Sequence, residues 1–76
     1  METFETFGKL IERLRKPGRV FVGVWENAAV QVVKADLIFR LQSWAAEVGD
    51  EMGGVEATLY PWDDADGVLL VFSETY

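Results

Sequence analysis

Residues 60–76 read YPWDDADGVLLVFSETY, and this stretch decides which kind of fold the chain can adopt. The residues on both sides of WDDADG are mostly aliphatic, β-branched or aromatic, which favours strands. Asp-Gly supplies the positive backbone angles of a tight connection, so residues 55–62 and 67–76 are predicted to form a β-hairpin. The run from Val68 to Phe72 is apolar on both faces, which is typical of a central strand covered on each side.

Pro61 interrupts the first strand of this hairpin. It has no amide hydrogen to donate to a neighbouring strand. The strand before it is therefore predicted to be an edge strand, or to end at the proline.

Two more strands are predicted earlier in the chain. In RVFVGVWE, residues 19–26, valines alternate with Phe21, Gly23 and Trp25, so this strand has two unlike faces. A turn at Glu26 and Asn27 would lead into a second strand over residues 28–34. A helix that begins at Ala28 is the alternative, because two alanines start this segment.

Two helices complete the pattern. Apolar residues recur every three or four positions from Thr3 to Lys16, and Pro17 and Gly18 end this helix. The same spacing predicts a second helix over residues 35–48, and Gly49 suits the position just beyond it. Phe39 and Ala46 fall on the far side of this second helix, where they either meet the first helix or stay exposed.

The predicted order is αββαββ in a single compact domain covering residues 1–76. The fold class is α+β. The simplest closure is a four-stranded, mostly antiparallel sheet with two helices packed on one face. A chain of 76 residues has room for one hydrophobic core.

Charge is distributed unevenly along the chain, whose formal net charge is −6. Residues 1–40 hold all seven Lys and Arg residues and five acidic residues, whereas residues 41–76 hold eight acidic residues and no base. A negative field of this kind disfavours nucleic acid and anionic membranes and steers the protein toward cationic partners. The absence of Cys and the lack of a signal peptide or an apolar run of membrane-spanning length predict a cytoplasmic protein.

The chain contains few of the residue types that carry out catalysis or bind metal ions. The chain has no Cys and no His, so we predict no enzyme and no cofactor. The segment from Asp63 to Gly67 is similar to the start of an EF-hand loop, but Trp62 and Ser73 stand where that loop needs carboxylates, so no metal is predicted. Lys9, Arg13 and Lys16 form a basic stripe, which we interpret as the solvated face of the first helix rather than a nucleic-acid site.

Aromatic residues are the more informative group. The valines of the early strands can point toward the helices together with Ala57, Leu59, Leu70 and Phe72. In that case the aromatic residues of the strands lie on the other face of the sheet, together with Leu69 and Val71. One helix on each face would bury this second face as core, whereas both helices on one face would leave it as an interface. The predicted aromatic interface consists of Phe21, Trp25, Tyr60 and Trp62.

These features predict a small, acidic, non-catalytic protein-binding module. It would present carboxylates to the basic, nucleic-acid-binding surface of a protein partner, as small phage inhibitors of host or defence machinery do, anti-CRISPR and anti-restriction proteins included. The alternative is a structural or accessory homodimer assembled through the aromatic face. The predicted partner-binding acidic patch consists of Glu47, Asp50, Glu51, Asp63, Asp64 and Asp66.

Overall fold

A computed structural model describes residues 1–25, 28–64 and 66–74, with only the backbone of residues 24 and 25. Two helices and five strands occur within these ranges. In chain order they are β1 (Glu2–Phe4), α1 (Phe7–Leu14), β2 (Arg19–Trp25), β3 (Ala28–Val32), α2 (Lys34–Val48), β4 (Val55–Trp62) and β5 (Gly67–Glu74).

The five strands form one mixed sheet with the order β1-β4-β5-β2-β3. The hairpins β2–β3 and β4–β5 are antiparallel, and β5 pairs with β2 in parallel, with Val20 opposite Val68. The α+β class and the mostly antiparallel pairing are confirmed, since three of the four described strand pairs are antiparallel. The predicted number of four strands has to be corrected to five, and the β2–β5 pair makes the sheet mixed. Local patterning identifies each hairpin, but it does not say which of their strands meet.

The additional strand lies at the start of the chain, inside the segment predicted as helix from Thr3. β1 pairs antiparallel with β4, with Thr3 opposite Thr58. Phe4 is three residues before Phe7, so its spacing imitates a helical stripe although it belongs to a strand that packs against the same core. α1 therefore begins at Phe7 rather than at Thr3.

The other elements follow the predicted ones closely. Residues 28–32 form a strand, so the alternative helix from Ala28 is wrong. α2 ends at Val48, and Gly49 follows with a φ of 90°, a conformation that glycine adopts without steric cost. Phe39 and Ala46 both stay exposed on the outer side of α2.

Both helices pack on the same face of the sheet. Phe7, Leu10 and Leu14 of α1 and Leu41 of α2 share one buried cluster with Val20, Ala57, Leu59 and Leu70 of the strands. The ring of Trp44 from α2 lies between Phe7 and Phe72, with centroid distances of 5.0 and 5.4 Å. The arrangement with one helix on each face is therefore excluded for the described helices.

The prediction for Pro61 is only partly correct. β4 is not an edge strand over residues 57–59, because β1 pairs with it there. β1 starts at Glu2, opposite Leu59, so Pro61 lies beyond it and pairs with Val68 of β5. The proline thus occupies a position where a second ladder partner is not required, one residue before β4 ends.

Candidate partner-binding surfaces

The face of the sheet opposite the helices is called the open face. Side chains alternate between the two faces of a strand, so the neighbours of the core residues Ala57, Leu59 and Leu70 lie on it. Pairing places Thr58 beside Val71, and Tyr60 beside Leu69, which in turn lies beside Phe21. The open face is defined here by Phe21, Thr58, Tyr60, Trp62, Leu69 and Val71.

Three of the four residues of the predicted aromatic interface lie on the open face. Tyr60 is 39% exposed and Trp62 is 37% exposed, whereas Phe21 is half-buried by its neighbours. The side chain of Trp25 lies outside the described residues. The face therefore presents two exposed aromatic side chains beside a half-buried aliphatic and aromatic row.

Phe21 is held in place by its contact with Gly67. A Cβ atom added to Gly67 would lie 3.0 Å from the Phe21 ring and 2.6 Å from the Trp62 carbonyl oxygen, so only glycine fits there. The Arg19 guanidinium carbon lies 5.9 Å from the centroid of the same ring, within the range of a cation–π contact. Gly67 therefore matters because of close packing on the open face.

The acidic turn between β4 and β5 closes the hairpin by a different route from the predicted one. The positive φ angles belong to Asp63 (53°) and Asp64 (58°), not to Gly67. Aspartate is one of the few residue types other than glycine that adopt this left-handed conformation readily. The hairpin itself is confirmed, with Trp62 opposite Gly67, and Asp63 and Asp64 supply the left-handed backbone in the described part of the turn.

Two aspartates of this turn also form ion pairs with Arg19, the first residue of β2. Arg19 Nη1 lies 2.9 Å from Asp63 Oδ2, and Arg19 Nε lies 3.3 Å from Asp66 Oδ2. The second contact lacks hydrogen-bond geometry, since Nε is a buried atom without a hydrogen-bond partner. The Arg19 amide also donates to the Asp66 carbonyl oxygen over 3.1 Å. Part of the charge of the turn is therefore neutralised within the chain.

Asp50 has a structural contact as well. The Phe7 amide donates to the Asp50 carbonyl oxygen over 2.8 Å, and the Gly8 amide donates to Asp50 Oδ1 over 2.9 Å. The first amides of a helix have no partners within the helix, so Asp50 caps α1 from a distant loop. Met52, two residues later, is fully buried, so the segment GDEMGG is anchored at two points.

The six residues of the predicted acidic patch are not brought together. Asp63, Asp64 and Asp66 follow the last residue of β4, whereas Glu47, Asp50 and Glu51 precede its first residue. The eight residues of β4 span roughly 23 Å. The acids therefore form two groups at opposite ends of the sheet, and Glu47, Glu51 and Asp64 are the exposed members outside the described ion pairs and caps.

The predicted basic stripe is largely solvent-exposed, and α1 ends at Leu14, so Lys16 lies beyond the helix rather than on its face. Lys9 and Lys16 are exposed, and Arg13 Nε donates to Glu2 Oε2 over 2.7 Å. Sequence patterning did not identify Arg19 as the base that matters for the acidic turn. That role depends on the parallel pairing of β2 with β5, which leaves no local sequence signal.

The described part of the chain offers little that could form a metal site or a small-molecule site. No group of three or more acidic side chains within it is arranged to hold a metal ion. A surface depression of about 390 Å³ lies between Glu5, Thr6, Glu51, Gly54 and Val55.

None of the helices in the described ranges is both long and apolar enough to span a bilayer.

Comparison of the chain with protein-family models, with curated proteins and with solved structures gives no match.

Proposed function

We propose that the chain is a small, acidic, non-catalytic protein-binding module that makes its central contact through the open face. The observation that carries this proposal is a sheet face that neither described helix covers and on which Tyr60 and Trp62 are exposed. Exposed aromatic side chains within a contiguous apolar surface are typical of protein interfaces, where Trp and Tyr contribute much of the binding energy.

The charge of the chain supports a basic partner. The open face itself carries little charge, because Arg19 at its edge is paired with Asp63 and Asp66. The exposed residue Asp64 lies at the hairpin end of the face, and Glu47 and Glu51 lie beyond its other end. With a net charge of −6, this arrangement favours association with a cationic protein surface by electrostatic steering.

In the specific form of the proposal, the partner is a protein that handles nucleic acid, and the module inhibits it as a phage-encoded inhibitor would. Because the acidic residues form two separate groups, we expect a binding surface with an aromatic centre and a charged group at each end. A single continuous row of carboxylates that imitates a phosphate backbone is not expected. The cytoplasm is the compartment in which we propose this binding, because the chain has no Cys.

A pull-down from a lysate of the organism that carries the gene tests the proposal when three tagged proteins are compared. Trp62→Ala removes an exposed aromatic side chain from the open face, and Phe39→Ala removes one that is 69% exposed on the opposite side of the molecule. We expect a basic protein to be retained by the wild type and by Phe39→Ala, to be lost with Trp62→Ala, and to be released from the wild type at high salt.

Equal retention by all three proteins would contradict a contact through the open face. Circular dichroism of the two variants is the control for folding. Once the partner is identified by mass spectrometry, calorimetric titration of the purified pair replaces the lysate.

A homodimer through the open face is the second candidate. The half-buried row of Phe21, Leu69 and Val71 is uncharged, so two such faces would not repel one another. This dimer would persist at high salt, because apolar burial is not screened by ions, and Trp62→Ala would weaken it.

A further inference from the structure

β3 is an edge strand with an unpaired side. It pairs with β2 on one side and is the last strand in the sheet order, so the described chain offers no strand to its other side. An edge strand presents alternating amide and carbonyl groups that another strand can pair with. The partner that fits this edge is therefore a polypeptide segment in an extended conformation.

This edge lacks the protection that soluble proteins usually provide. The residues Ala28–Val32 include no charge and no proline, and Val30 and Val33 are 53% and 65% exposed. The opposite edge is different, because β1 has only three residues and includes Glu2, which is paired with Arg13. Native edge strands are commonly very short, charged, interrupted by proline or covered. Residues 28–32 have neither charge nor proline, and no described strand pairs with their outer side.

The pairing of β3 with β2 is regular over most of its length. A register shift in β2 between Gly23 and Trp25 affects only the start of β3, where Ala29 pairs with Gly23 and Ala28 pairs with Trp25. From Ala29 to Val32 the register is continuous, with Val30 opposite Val22 and Val32 opposite Val20. The outer side of this segment is therefore a regular template for another strand.

We propose that β3 pairs antiparallel with β3 of a second copy of this chain, about a two-fold axis that passes beside Val30. In this register Val30 lies opposite Val30 of the second copy, Ala28 opposite Val32 and Ala29 opposite Gln31. No charged side chain meets another along the pairing, although each chain carries a net charge of −6. An interface of this kind is self-complementary, as a two-fold dimer requires.

The same register accounts for the exposure of Val30. Val30 lies on the same face as Val32, which packs against the core, but the helices leave it half exposed. In the dimer the two Val30 side chains would shield each other from water across the axis. The two sheets would become one sheet of ten strands, and both open faces would remain free, so this dimer is independent of the proposed partner contact.

The mass of the purified protein, measured by sedimentation over a range from about 1 µM to about 1 mM, tests the proposal, because self-association depends on concentration. We expect the mass to rise from 8.6 kDa toward twice that value. Val30→Lys places two like charges opposite each other at the axis and should weaken the dimer about tenfold or more.

Val48→Lys is the matched control, because Val48 is also partly exposed and the change in net charge is identical. Both variants reduce the net negative charge of each chain, so weaker association of Val30→Lys cannot result from general repulsion. A protein that stays monomeric over the whole range would overturn the proposal. So would a dimer that survives Val30→Lys and is lost with Trp62→Ala.

A covalent readout uses the absence of cysteine from the chain. Directly opposed residues on antiparallel strands have Cβ atoms about 4.5 to 5.5 Å apart, close to the separation that a disulfide spans. Mild oxidation should convert Val30→Cys to a linked dimer and leave Val48→Cys mainly monomeric. Equal linking of the two variants would point to random collision and contradict the proposed register.

Discussion

Asp50 illustrates how one acidic residue can serve the fold rather than a partner. Thr6 precedes α1 in an extended conformation, but its side chain makes no capping hydrogen bond. The carbonyl oxygen and the carboxylate of Asp50 accept from the first two amides of the helix instead. A negative charge at a helix amino terminus is also favoured by the helix dipole.

Replacing Asp50 by Ala removes the hydrogen bond to Gly8 and keeps the backbone bond to Phe7. We expect the free energy of unfolding to fall by about 1 kcal/mol, the usual cost of losing a capping side chain. Glu51→Ala is the control, since Glu51 is exposed and adjacent. Urea denaturation of both variants measures the effect, and equal stability of the two would show that the carboxylate does not cap α1.

Two aspartates of the β4–β5 hairpin have different roles. Asp63 combines a left-handed backbone with an ion pair to Arg19, whereas Asp64 has the same backbone conformation and a side chain that extends into solvent. Three carboxylates within four residues are tolerated because Arg19 neutralises part of their charge.

The pair Asp63→Asn and Asp64→Asn tests this division, because asparagine tolerates the left-handed conformation as aspartate does. At low salt, Asp63→Asn should cost up to about 1 kcal/mol of stability, since a partly exposed ion pair is lost. Asp64→Asn should cost nothing, because it only relieves repulsion. Thermal unfolding at low and high salt measures both, and an equal loss in the two variants would contradict the role of Arg19.

The same hairpin shows how far local patterns carry a prediction. Both hairpins and α2 follow from residues close together in the chain, and their bounds differ from the predicted ones by only a few residues. β1 and the capping of α1 depend on residues more than forty positions away, Asp50 and Thr58 among them. Of the candidate site, the positions of Phe21, Tyr60 and Trp62 on the open face follow from alternation along β2 and β4, whereas the separation of the acidic residues does not follow from any local pattern.

Trp44 joins α1, α2 and β5 in the hydrophobic core. Its ring contacts Phe7 of α1 and Phe72 of β5 at tilted angles of 58° and 59°, which aromatic pairs prefer. One side chain of α2 thus connects both helices to the central strand of the sheet.

Trp44→Ala should destabilise the protein by about 3 kcal/mol, through lost apolar burial and the cavity that remains. This is a large part of the total for a chain of this size, for which about 5 kcal/mol is expected. Phe39→Ala on the same helix should change stability by less than about 0.5 kcal/mol, because the side chain is largely exposed. Denaturant titration compares the two, and a small loss for Trp44→Ala would mean that the cluster contributes little.

The central position of β5 has a consequence for the synthesis of the protein. Ribosomes make this strand last among the described elements, yet it lies between β4 and β2 and completes the core with Leu70. Until β5 emerges, the facing edges of β2 and β4 have no strand between them. The apolar sides of both helices then lack the central strand against which they pack. The nascent chain is therefore most prone to aggregate in the interval before β5 leaves the ribosome, and chaperone binding during that interval would protect it.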